Sequence, residues 1–103
     1  MAGVVGGVGG MRDADDEVQG NVEEVRAALI AALVTEGTSC PADQELKALS
    51  YTTQVVAGTN YFVKIKAGTD ILHARIFCGL GGEAARLASI NINVSEDSPI
   101  DHF

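Results

Sequence analysis

The feature that most constrains the fold is a switch in hydrophobic period near the middle of the chain. Across residues 13–36, Val18, Val22, Val25, Leu29 and Leu33 recur at intervals of 4, 3, 4 and 4. That spacing draws one apolar stripe along a helix. Asp13, Asp15, Asp16 and Glu17 crowd its start, where the helix dipole favours negative charge, and Asp13 is the candidate N-cap. Ala27, Ala28, Ala31 and Ala32 add propensity, and Gly37 offers a stop. Gly20 costs about 1 kcal/mol relative to alanine inside a helix, so the stripe carries the assignment. Pro41 forbids continuation of the helix.

Beyond Pro41 the period becomes two. Residues 46–57 are expected as the first strand, with Leu49, Tyr51 and Val55 in one alternating set, and Gly58-Thr59-Asn60 as a turn. Residues 61–67 follow, with Tyr61, Val63 and Ile65 against Phe62, Lys64 and Lys66. After Gly68-Thr69-Asp70 come residues 71–78, with Leu72, Ala74 and Ile76 opposite His73, Arg75 and Phe77. Gly79-Leu80-Gly81-Gly82 makes another loop, and residues 87–94 form the last strand. Short connections mean an antiparallel meander, and alternation means one buried face, which the helix is available to cover. The expected architecture is α+β, an antiparallel sheet of four to five strands wrapped around one long helix.

At 103 residues the chain has room for one core and not two. Seven Lys and Arg against fourteen Asp and Glu leave a formal charge of −7. That sign argues against nucleic acid and against anionic membrane surfaces as partners. No apolar run approaches the roughly 18 residues that span a bilayer. Residues 1–10 hold five glycines, too many for a regular element, and a flexible Gly/Val trunk is expected there. The trunk carries no Lys or Arg and no unbroken apolar segment of an export signal, so a cytoplasmic protein with Cys40 and Cys78 as free thiols is expected.

Catalytic chemistry finds no support. A Cys78–His73 pair would lie five residues apart on one strand, on opposite faces. His73 reads as a solvent-side strand residue. Metal-ligand spacing is absent, and the acidic cluster reads as a solvated helix start. No Gly-Lys-Ser/Thr follows the glycine-rich trunk, so a phosphate cradle is excluded. No enzyme activity, cofactor or metal is expected, and the remaining class is a binding protein.

The stretch Gln54-Val55-Val56-Ala57-Gly58-Thr59-Asn60-Tyr61-Phe62, in a hairpin after a long helix, resembles the signature of the cystatin superfamily, and in particular of the intracellular, disulfide-free stefins or type 1 cystatins. Gly6-Gly7 ahead of Glu17-Val18-Gln19, and the final Phe103, extend the resemblance from about Gly6 to the C-terminus. It implies a cystatin-like fold over residues 1–103 and reversible, tight-binding, competitive inhibition of papain-like cysteine proteases such as the cathepsins. The resemblance places a wedge of three segments at one end of the sheet. These are the trunk at Val4, Val5, Gly6 and Gly7; the first hairpin at Gln54, Val55, Val56, Ala57 and Gly58; and the second loop at Leu80 and Gly81. Glycine lets a thin backbone enter a narrow cleft, and the valines and Leu80 supply apolar contact.

One departure is at Gly81, where stefins usually carry proline. Proline pre-sets φ, whereas Gly81-Gly82 is expected to leave the loop flexible and weaken its contact. A second departure is the pair Cys40 and Cys78, which has no wedge role. The active form is expected to be a monomer. Val55 and Val56 are strand-favouring residues at a reversal, so opening of that hairpin would yield a domain-swapped, inactive dimer. The alternative of a different class is a non-inhibitory binding or structural module on the same fold.

Overall fold

The computed structural model describes residues 11–38, 40–101 and 103. Its elements, in chain order, are β1 (Arg12–Asp13), α1 (Asp16–Glu24), α2 (Arg26–Thr35), β2 (Leu46–Val56), β3 (Gly58–Ala67), β4 (Asp70–Cys78) and β5 (Arg86–Asn91). The strands form one five-stranded antiparallel sheet in the order β1-β2-β3-β4-β5, and the helices cover one of its faces. The α+β architecture expected from the period switch is present. The expected trunk over residues 1–10 lies outside the described residues.

Val18, Val22, Val25, Leu29 and Leu33 all reach the core, as the stripe requires. They meet Leu46, Ala48, Tyr51, Val63, Ile65, Leu72, Ala74 and Ile76 from the sheet. The helix differs from expectation in two ways. Its cap is Asp15, whose Oδ1 accepts from Val18 N at 2.9 Å. Asp13 is unavailable because it pairs with Ser50 in β1, a two-residue strand too short to leave a period in the sequence. The helix is also divided at Val25, which has φ −100° and ψ 15° yet stays in the buried stripe.

Two β-bulges correct the expected alternation. In β2 the pairs Ala48↔Ile65 and Ser50↔Lys64 leave Leu49 as an extra residue. Buried parity therefore changes from Leu46 and Ala48 to Tyr51, and the expected set of Leu49, Tyr51 and Val55 does not share a buried face. A second bulge, between Arg75↔Ser89 and Ile76↔Leu87, lets both Leu87 and Ile90 pack against the core. The last strand ends at Asn91 rather than at residue 94.

The second face of the sheet is covered as well, which overturns the reading of His73 as solvent-facing. Lys64 and His73 are cross-strand partners, 4% and 1% exposed. Residues 95–101 cross over them, with Phe103 beyond. Lys64 Nζ donates to the carbonyls of Glu96 at 2.5 Å and Ser98 at 2.6 Å, and the Phe103 ring meets buried Phe62 edge-on at 5.8 Å. A buried lysine is tolerable here because its charge is met by two carbonyl dipoles.

Candidate functional site

The sheet register brings the sequence-derived candidates to one end of the molecule. In the first hairpin Val55 pairs with Thr59 and Val56 with Gly58, so the chain reverses at Ala57. Gly58-Thr59-Asn60, expected as the turn, already belongs to β3. Asn60 Nδ2 donates to Gln54 Oε1 at 3.2 Å across the hairpin and ties its two arms. Gly58 has φ 118°, and a Cβ there would lie 2.6 Å from the Cys78 carbonyl oxygen and 2.9 Å from Phe77 Cζ. Only glycine satisfies both the angle and the close approach.

That approach sets the second loop directly beside the first hairpin. Thr59 pairs with Cys78, and Leu80–Gly82 then forms a tight, kinked turn before β5. Gly81 and Gly82 have φ 77° and 76°, so the two glycines are used for left-handed backbone that proline cannot supply. Ala85 N donates to Glu24 Oε2 at 3.1 Å, which anchors the loop's exit to α1. On the other side of the hairpin, β1 runs antiparallel to β2 with Arg12 opposite Tyr51 and Asp13 opposite Ser50. The N-terminal end of β1 is therefore the end nearer Ala57. The Arg12 guanidinium lies 5.3 Å from the Tyr51 ring centroid.

The surface at this end is apolar. Leu80 is 72% exposed, Val55 63% and Val56 46%, while most large apolar side chains among the described residues are buried or half-buried. Isolated apolar residues on a surface are ordinary, but three on adjacent turns are what a contact surface requires. Gln54, Val55, Val56, Ala57, Gly58, Leu80 and Gly81 are thus brought together; Val4, Val5, Gly6 and Gly7 lie outside the described residues.

Among the described residues, none at this end has the geometry of a nucleophile and its base. Cys40 and Cys78 are free thiols. Burial first, then Glu24 and Glu17, push the Cys78 thiol up from its ordinary value, so it stays protonated at neutral pH. His73 is confined beneath residues 95–101. Among the described residues no group of three or more His, Cys, Asp or Glu is placed to hold a metal ion, and no helix is long and apolar enough to cross a membrane.

Sequence reasoning missed two positioning residues. Gln19 Nε2 donates to Leu46 O at 2.8 Å while its Oε1 accepts from Ala48 N at 2.8 Å, which stitches α1 to β2. Glu24 anchors the second loop. Neither leaves a sequence signal, because each acts across a long stretch of chain.

Comparison with known proteins accords with this geometry. Residues 6–96 match the model of the cystatin domain. The chain is 36% identical to Cystatin-A2 of Dictyostelium discoideum, over 96% of this chain and 97% of that one. It is 32% identical to Cystatin-A of Homo sapiens, over 97% and 99%. A secreted type 1 cystatin from Fasciola hepatica superposes with a TM-score of 0.63 at 27% identity, covering 84% of this chain and 94% of that one. The chain belongs to the cystatin family, in its type 1 or stefin branch, and so to a family of cysteine protease inhibitors rather than of enzymes.

Proposed function

We propose that this protein is a reversible, tight-binding, competitive inhibitor of papain-like cysteine proteases, cathepsins among them, and that it acts by inserting one end of its sheet into the active-site cleft. The observation that carries the reading is the adjacency of Val55, Val56 and Leu80, exposed on two turns that meet at Gly58. In this reading Ala57 leads the first hairpin over the catalytic groups, and Val55 and Val56 contact the cleft walls. Leu80, held by the Gly81 turn, reaches the primed side. Val4, Val5, Gly6 and Gly7 enter the non-primed subsites as a thin, apolar trunk.

Inhibition without cleavage follows from restraint. The peptide bonds flanking Ala57 are closed off by the Val56↔Gly58 pair, with the Asn60–Gln54 side-chain bond bracing the two arms behind it, so the tip is restrained from relaxing into an attack geometry at the nucleophile. The active species is a monomer working in the cytoplasm as one domain, with a domain-swapped dimer, formed when the first hairpin opens and two chains exchange helix and first strand, as an inactive form. The net charge of −7 disfavours nucleic acid and membrane surfaces as partners.

Titration of papain with a fluorogenic dipeptide substrate tests the reading. Competitive inhibition at one inhibitor per enzyme is expected, and deletion of residues 1–7 should leave folding intact while speeding dissociation about tenfold or more. Absence of inhibition would favour the other reading, a non-inhibitory module on this fold. Equal dissociation of full-length and shortened chains would remove the trunk from the wedge.

A further inference from the structure

We propose that Phe77, steadied by Arg86, is a positioning residue that locks the first hairpin and the Leu80 loop into one rigid edge; this rests on the wedge reading above. The two turns belong to different hairpins, and the β3–β4 pairing ends at Thr59↔Cys78. Their tips project beyond that last pair. The close approach of Gly58 to the Cys78 carbonyl and to Gly79 Cα sets the two backbones side by side, and a side chain packed against both turns would hold that spacing rigid.

Phe77 is placed to do so, because both turns touch it. From the first hairpin, Gly58 comes so close that a Cβ would stand 2.9 Å from Phe77 Cζ. From the second loop, Arg86 is the first residue of β5 and the register partner of Phe77. Its guanidinium carbon lies 5.3 Å from the Phe77 ring centroid, within the range of a cation–π contact. Arg86 is itself exposed, so this contact defines where the guanidinium rests. A displaced Phe77 ring would free Gly58 on one side and the exit of the Leu80 loop on the other. The edge would then have to be ordered on binding, at an entropic cost that appears mainly in the dissociation rate.

The test is the dissociation rate of papain complexes of the parent, Arg86→Ala, Arg86→Lys, Phe77→Tyr, Phe77→Leu and the Phe77→Leu/Arg86→Ala double variant, with the thermal midpoint of each. Arg86→Ala should dissociate about two- to fivefold faster, the size of an exposed cation–π contact, with its midpoint lowered by only a few degrees. Arg86→Lys, which keeps a cation over the ring, should recover most of that loss. Phe77→Tyr, which adds a hydroxyl at the Cζ that Gly58 crowds, should dissociate faster than the parent, and Phe77→Leu about tenfold faster. Adding Arg86→Ala to Phe77→Leu should cost nothing more, because the guanidinium acts through the ring. An Arg86→Ala variant that leaves at the parent's rate, or losses that simply add, overturns the positioning role. The Arg86 and Phe77→Tyr variants decide the matter even if Phe77→Leu does not fold. A parent that does not inhibit papain overturns the wedge reading, and this inference with it.

Discussion

Gly81 occupies φ 77°, in the left-handed region that proline, fixed near −65°, cannot enter. The loop therefore reaches its shape by a different route from the Leu-Pro sequence that stefins usually carry. Gly81→Pro should cost about 1–3 kcal/mol of stability, or rebuild the loop, and in either case redirect Leu80. Urea unfolding and the papain dissociation rate together check this, and a variant as stable and as slow to dissociate as the parent would contradict it. Single residues were unevenly legible in the sequence. Gln54, Gly58 and Leu80 stand out through the resemblance to the cystatin signature, and Gly58 and Gly79 also mark reversals on local grounds. His73 was misread because parity assigns a face, not what covers that face. Segment 95–103 lacks periodicity, so the docking of residues 95–101 and Phe103 on Lys64 and Phe62 left no trace in pattern.

The elements were more legible than their junctions. The helical stripe and the alternation along β3 and β4 identify residues that meet in the core, because burial itself enforces those periods, whereas the bulge at Leu49 breaks the alternation in β2. The bulges at Leu49 and in β5, the break at Val25 and the short strand β1 escaped notice, because each interrupts a period over one or two residues. Gln19 shows how such a junction is held. Its amide takes both a carbonyl and an N–H from β2 just ahead of the bulge, substituting for a ladder partner at that edge. Gln19→Ala should destabilise the fold by about 1–3 kcal/mol, since it leaves Ala48 N–H unpaired in a partly buried place. Inhibition at a temperature where the variant is folded should change little. A midpoint equal to the parent's would mean that water replaces the amide without loss.

On the scale of the whole molecule, the sheet has two covered faces of different chemistry, an apolar one beneath the helices and one beneath residues 95–101 and Phe103 that mixes Lys64 and His73 with the Phe62 ring. Burial, with the Lys64 ammonium acting in the same direction, lowers the His73 pKa from its ordinary 6.5, and Asp101 opposes the shift. The unfolded chain then binds the imidazole proton more readily than the folded one. Stability from this group is fully present above about pH 6.5 and declines as pH falls toward the lowered value in the fold. Thermal midpoints between pH 7.5 and 5 should fall more steeply for the parent than for His73→Gln, and equal slopes would show that the imidazole is not the group responsible. The wedge end lies on neither of these faces, so its claim can be isolated. The most direct measurement is backbone hydrogen–deuterium exchange of the one-to-one papain complex against the free protein. Protection should concentrate at residues 54–58 and 79–82, with none at the Gly68–Asp70 turn at the far end of the sheet. Protection at that far turn or along α2, with residues 54–58 unchanged, would contradict insertion of this edge into the cleft.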